Sequence, residues 1–146
     1  MEVLDQKSKE LLEDIYQAAG LGRDILGKLI KNCKDSDFRF AMATEFAEYQ
    51  SIIDDAKKCA EKNGQVMDEN KKSIKNTVYG AMRMNMMIDK TSSHLAEMII
   101  QGSTMGVIDM KRKLRETEDA DNEVRELGER LIATEQNNIH SMLEHV

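Results

Sequence analysis

Proline and tryptophan are absent from this sequence, and three phenylalanines and three tyrosines are its only aromatic residues. Without proline, nothing obliges the chain to break a helix interior or to lose a backbone donor there. Without clustered valine, threonine and aromatic side chains, there is little from which to build the half-buried face of a sheet. No stretch approaches the roughly 18 consecutive apolar residues of a membrane-spanning helix. The opening MEVLDQKSKE has no apolar segment of the signal-peptide kind, so the expected location is cytoplasmic. Cysteine is limited to Cys33 and Cys59. At the ends of two antiparallel helices these would lie on the order of 30 Å apart, too far for a disulfide, and they read as free buried thiols suited to a reducing compartment.

What is present favours helix. Charged residues make up 33% of the 146 positions and methionine occupies 11; Leu, Met, Glu, Lys, Arg and Ala all lose little on entering a helix. A chain of this length is expected to form a single domain, residues 1–146, able to bury roughly two-thirds of its unfolded surface. The net charge of −6 argues against a nucleic-acid binder, which needs a basic face. The short run Lys111-Arg112-Lys113 is offset by Glu116, Glu118, Asp119 and Asp121 and reads as charge that suits a helix C-terminus.

Apolar spacing predicts five helices, over about 3–33, 36–63, 66–90, 93–117 and 121–145. In the first, Leu4, Leu11, Leu12, Ile15, Ala18, Ala19, Gly22, Leu26, Leu29, Ile30 and Cys33 share a face, and Gly22 would let a neighbouring helix come close. The second carries Phe38, Met42, Phe46, Tyr49, Ile53, Ala56 and Ala60, with Ser36 or Asp37 as its cap and Asn63-Gly64 as its end. In the fourth, Leu95, Met98, Ile99, Ile100, Met105, Val107, Ile108 and Met110 surround the axis, which is the pattern of a central helix. The fifth presents Val124, Leu127, Leu131, Ile132, Ile139, Met142 and Leu143. Short turns after the first and fourth segments make two antiparallel hairpins joined by one long connection, the 66–90 segment. That is the layout of an all-α, ferritin-like up-down bundle with an extra helix in the central connection.

The stretches His94-Leu-Ala-Glu-Met-Ile-Ile-Gln-Gly-Ser-Thr-Met-Gly-Val-Ile-Asp109 and Ala133-Thr-Glu-Gln-Asn-Asn-Ile139 resemble small uncharacterised ferritin-like proteins of Gram-positive bacteria. The resemblance implies a four-helix bundle. In the wider superfamily such a bundle holds a two-metal carboxylate centre, with one Glu from each of two helices and a Glu-x-x-His from each of the other two. Only part of that pattern is present. Glu135-x-x-Asn138 has Asn in place of His, Glu45-x-x-Glu48 has Glu there, and His94 precedes Glu97 in reversed order. The 3–33 segment offers no matching ligand: Glu13 falls opposite its apolar face and Asp14 at the edge.

Placement is more informative than motif. Glu135 falls near the centre of an apolar stripe, between Leu131 and Met142, and Glu45 falls within another, between Met42 and Tyr49. A carboxylate in a core costs several kcal/mol unless paired, hydrogen-bonded, protonated or metal-bound. One reading is a metal site formed by Glu45, Glu48, Glu97 and Glu135 with His94, an oxygen-rich set suited to iron or manganese. The other is a buried polar layer in which Glu135 accepts hydrogen bonds from Tyr49, Gln101, Asn85 or Asn138. His140 and His145 are expected in solvent. Met82, Met84, Met86 and Met87 point in different directions on one helix and read as core or contact residues, with Met84 and Met87 on an outer face suggesting a dimer. Neither cysteine has a histidine at helical spacing, the Gly102-Ser-Thr-Met-Gly106 stretch lacks the preceding strand of a nucleophile elbow, and no Gly-rich phosphate loop occurs. The favoured expectation is a non-catalytic bundle with a degenerate metal site, acting by self-association or partner binding. The alternative is an iron or manganese protein with oxidoreductase chemistry.

Overall fold

A computed structural model describes residues 3–67, 81 and 90–146, and every regular element among them is helical. Four long helices appear: α1 (Gln6–Asn32), α2 (Ser36–Lys62), α3 (Ser92–Glu116) and α4 (Asn122–Met142), the last followed by a single 3-10 turn, Leu143–His145. The expected helix over 66–90 falls almost wholly outside the described residues, as do Asn85 and the methionines at 82, 84, 86 and 87.

Each helix begins at a side chain that satisfies backbone N–H groups the helix cannot. Asp5 accepts from Ser8 N, Thr91 from His94 N, and Asp121 from Glu123 N and Val124 N. The cap of α2 is Asp35, one residue earlier than the spacing predicts; its carboxylate accepts from Asp37 N and Phe38 N. Gly64, with φ at 69°, ends α2 in the left-handed conformation that glycine adopts without cost.

Contacts between helices fix their directions. Gly22 meets Tyr49 and Gly27 meets Phe46, so α1 and α2 run antiparallel. Between α2 and α4, Tyr49 meets Glu135, Arg130 meets Asp55 and Lys62 meets Glu123, an antiparallel pairing in constant register. Gly106 meets Glu135 and Leu114 meets Gly128, so α3 and α4 are antiparallel too. Ser8 accepts from Asp121 N while Ile15 packs by Gly128, so α1 and α4 run parallel. The directions are therefore up, down, down, up. The chain leaves α2 beside the start of α4 and enters α3 at the far end, where Ser92 Oγ lies 3.8 Å from Cys33 Sγ.

One continuous core fills the interior, with Leu12, Ile15, Leu29, Phe38, Met42, Ala56, Leu95, Val124 and Met142 fully enclosed. Cys33 and Cys59 are both buried and free. The sequence reading of a central α3 is corrected here. The helix packs chiefly on α4 and only lightly on α1. Met105 and Ile108 are exposed, at 71% and 52%. Its buried face is the narrower stripe Leu95, Ala96, Ile99, Ser103, Met110 and Leu114. Apolar residues on every side of a helix show how much surface it has to cover, not which side is covered.

The C-terminus of α3 depends on one side chain from α4. Arg125 Nη1 donates to the carbonyls of Leu114 (2.7 Å) and Thr117 (2.6 Å). Replacing Arg125 by alanine strands both acceptors and is expected to cost about 1–3 kcal/mol. The check is a lower urea midpoint at unchanged slope.

Candidate functional site

The residues that could carry chemistry lie halfway along α2, where the sequence puts acid and phenol among apolar positions. Tyr49 is one turn beyond Glu45 on the same buried face, and both face α4. Glu135, on the face of α4 that also buries Leu131, Thr134 and Asn138, stands opposite Tyr49. Glu45, Glu135 and Asn138 are 6%, 7% and 1% exposed.

A hydrogen-bonded chain runs through this layer. Asn138 Nδ2 donates to the Tyr49 hydroxyl (2.7 Å), and that hydroxyl donates to Glu135 Oε2 (2.8 Å). Ser103 of α3 and Asn138 also donate to the Glu135 carboxyl. The space for it is made by two missing side chains. A Cβ on Gly106 would stand 2.8 Å from Glu135 Oε1, and one on Gly22 would stand 2.5 Å from the Tyr49 ring. The polar layer thus takes side chains from α2, α3 and α4, while Gly22 of α1 lets the tyrosine lie flat against its backbone.

Burial dominates the electrostatics. It pushes Glu135 up to about 7, against the opposing pull of Tyr49, Ser103 and Asn138, with the nearby Glu45 charge adding to the rise. Glu45 is also pushed up to about 7, by burial first and by Glu48 second. The Tyr49 hydroxyl is raised well above its ordinary value by burial and by the two carboxyls beside it. No lysine, arginine or histidine among the described residues pairs with Glu45 or Glu135. Within this layer Glu45 Oε2 and Asn138 Oδ1 are buried without a hydrogen-bond partner among the described residues.

Of the five residues marked in the sequence, the structure gathers Glu45 and Glu135 about Tyr49. Glu48 and Glu97 lie at the surface. His94 is half-buried in the first turn of α3, its main-chain N–H bound to Thr91 and its Nε2 buried without a partner. Among the described residues no three His, Cys, Asp or Glu side chains converge as metal ligands would. Of the four donors weighed for Glu135, Tyr49 and Asn138 serve; Gln101 is exposed, and Asn85 lies outside the described residues. The spacing reading missed Ser103. Its signal was there: Ala96, Ile99, Ser103, Gly106 and Met110 follow the three-and-four spacing of one helix face, and a hydroxyl on such a stripe needs a buried partner.

Fold and site together define an all-α helical bundle with a buried acidic hydrogen-bonded layer. No protein-family profile, curated protein or solved structure matches the chain. No helix among the described residues is long and apolar enough to cross a membrane.

Two glycines four residues apart on α3 test the packing of this layer. Gly102 is exposed with nothing within 4 Å of an added Cβ, so Gly102→Ala is expected to stabilise by roughly 0.5–1 kcal/mol. Gly106→Ala drives a methyl into the Glu135 carboxyl and is expected to destabilise by about 1–3 kcal/mol. Thermal melts of the two variants should therefore move in opposite directions. Tyr49→Phe removes the donor to Glu135 and the acceptor of Asn138 together, with an expected cost of about 1–3 kcal/mol in urea unfolding.

Proposed function

We propose that this protein is a ferritin-like, non-catalytic helical bundle in which a hydrogen-bonded layer occupies the place of a carboxylate metal centre, and that it works by associating with a second copy of itself. The observation that carries the reading is the Glu135 carboxyl, whose needs are met by Tyr49, Ser103 and Asn138 rather than by further acids or histidines. The helix directions support the ferritin-like assignment. Two antiparallel hairpins with parallel α2 and α3 require one connection that returns the length of the bundle, the single long crossover of that layout. Met105 and Ile108, three residues apart on the outer face of α3, support self-association, since covering neighbouring apolar side chains removes their surface from water. The two free thiols suit a reducing compartment, and the cytoplasm is the location we propose. The net charge of −6 supports a protein partner over a nucleic acid.

Light scattering on the full chain is expected to give about twice its 16.6 kDa mass, falling to the monomer value when Met105→Glu and Ile108→Glu are combined. Elemental analysis of protein purified without chelator is expected to find no stoichiometric iron or manganese. Metal present at one or two ions per chain, and lost in both Glu45→Ala and Glu135→Ala, would replace this reading with the metal-binding one.

A further inference from the structure

At the level of Tyr49 the core contains more hydrogen-bond acceptors than hydrogens to fill them. The donors there are the Tyr49 hydroxyl, the Ser103 hydroxyl and the Asn138 amide, and these already serve Glu135 and the tyrosine oxygen. Glu45 Oε2 and Asn138 Oδ1 are left buried with nothing to accept. The α2/α4 register puts Glu45, one turn before Tyr49, level with the turn of α4 that carries Asn138. One proton on Glu45 would turn an acceptor of this layer into a donor.

We infer that the buried layer formed by Glu45, Tyr49, Glu135 and Asn138 holds an extra proton, and that gain and loss of this proton make the bundle tighten on mild acidification and loosen on mild alkalinisation. A neutral Glu45 carboxyl becomes a donor in a layer where Asn138 Oδ1 has nothing to accept, and it removes the repulsion between Glu45 and Glu135. The groups facing the pair are few. Among the described residues Tyr49 comes from α2, Ser103 from α3 and Asn138 from α4, α1 presents Gly22 to the Tyr49 ring, and the surface Glu48 acts on Glu45 only through its negative charge. None of them brings a positive charge. This device depends on the buried layer and not on what the bundle binds.

The direction of the response follows from where the protons sit. Both carboxyls hold protons more tightly folded than unfolded, with folded values of about 7. Their contribution to stability is complete below the ordinary carboxylate range and is lost as pH rises through neutrality. Three other shifted groups act outside this window: Asp5 is lowered by its cap bonds to Ser8, and burial raises both the Cys59 thiol and the Tyr49 hydroxyl.

The test is thermal unfolding of the full chain from about pH 5.5 to about pH 8.5, with metal content measured on the same preparation. The wild-type melting temperature is expected to fall by several degrees across this range. Glu45→Gln and Glu135→Gln should each reduce the slope, and the double substitution should flatten it. His94, His140 and His145 are present in every variant and cancel in the comparison. Should a variant fail to fold, the infrared spectrum of the wild type serves instead: the C=O stretch of a protonated buried carboxyl should fade as pH is raised through about 7. A melting temperature that is flat or rises with pH, a slope unchanged in the double variant, or an infrared band absent throughout would overturn the inference. A flat profile in metal-free protein overturns this inference alone, whereas stoichiometric metal overturns the proposed function as well.

Discussion

The hydrogen bond from Tyr49 to Glu135 is the constraint around which the rest of the bundle is arranged. It joins the first hairpin to the second across the interior, between residues far apart in the chain. A phenol and a carboxyl in a low-dielectric core have one satisfactory geometry, and a slide of one turn along either helix would leave both unpaired. The surface pairs Arg130–Asp55 and Lys62–Glu123 fall in the same α2/α4 register, but they are solvent-exposed and worth little. The buried bond therefore sets how α2 lies on α4, and the outer pairs follow. Gly22 and Gly106 are parts of the same device, because the ring and the carboxyl occupy the volume where their side chains would stand.

The fold was legible wherever a residue reports on its own helix. The four described helices begin and end within a few residues of the spacing-based bounds, and Gly64 ends α2 where a glycine past the last turn should. The burial of Glu45 and Glu135 was legible for the same reason, since each interrupts a stripe of known phase. What could not be read depends on neighbours. Asp35 rather than Ser36 or Asp37 caps α2, because three adjacent polar residues offer similar local signals and only the approach of the chain selects one. Tyr16 and Ser8 are buried, although Ser8 is covered only because Asp121 N arrives to bond it from across the molecule. The position of α3 at the side of the bundle, with Met105 and Ile108 in solvent, follows from its partners and not from its composition.

Helix directions and the polar layer reinforce each other. Parallel α2 and α3 cannot be joined by a tight turn, so the two hairpins are tied mainly by what lies between them: core packing and the bonds of Tyr49 to Glu135 and Asn138. Apolar contacts alone tolerate small slides and rotations, because one methylene replaces another at modest cost. A buried polar group does not, since a lost partner leaves its full desolvation unpaid. Placing the acids at mid-height, away from the frayed ends, therefore gives the assembly of the two hairpins a single depth and rotation.

The same layer limits what chemistry it can perform. Glu48 and Glu97 turn outward, and His94 sits in the first turn of α3, well over a helical turn along from the Ser103 and Gly106 that face Glu135. The acids left inside are two, with a phenol and an amide between them, and each tends to keep its proton when buried. A centre that binds a divalent cation needs its carboxyls charged and converging. Here burial and mutual repulsion oppose charge on both, and the donors present already spend their hydrogens on Glu135 and on one another. Such a set is well suited to holding or releasing a proton and poorly suited to transferring electrons or activating oxygen.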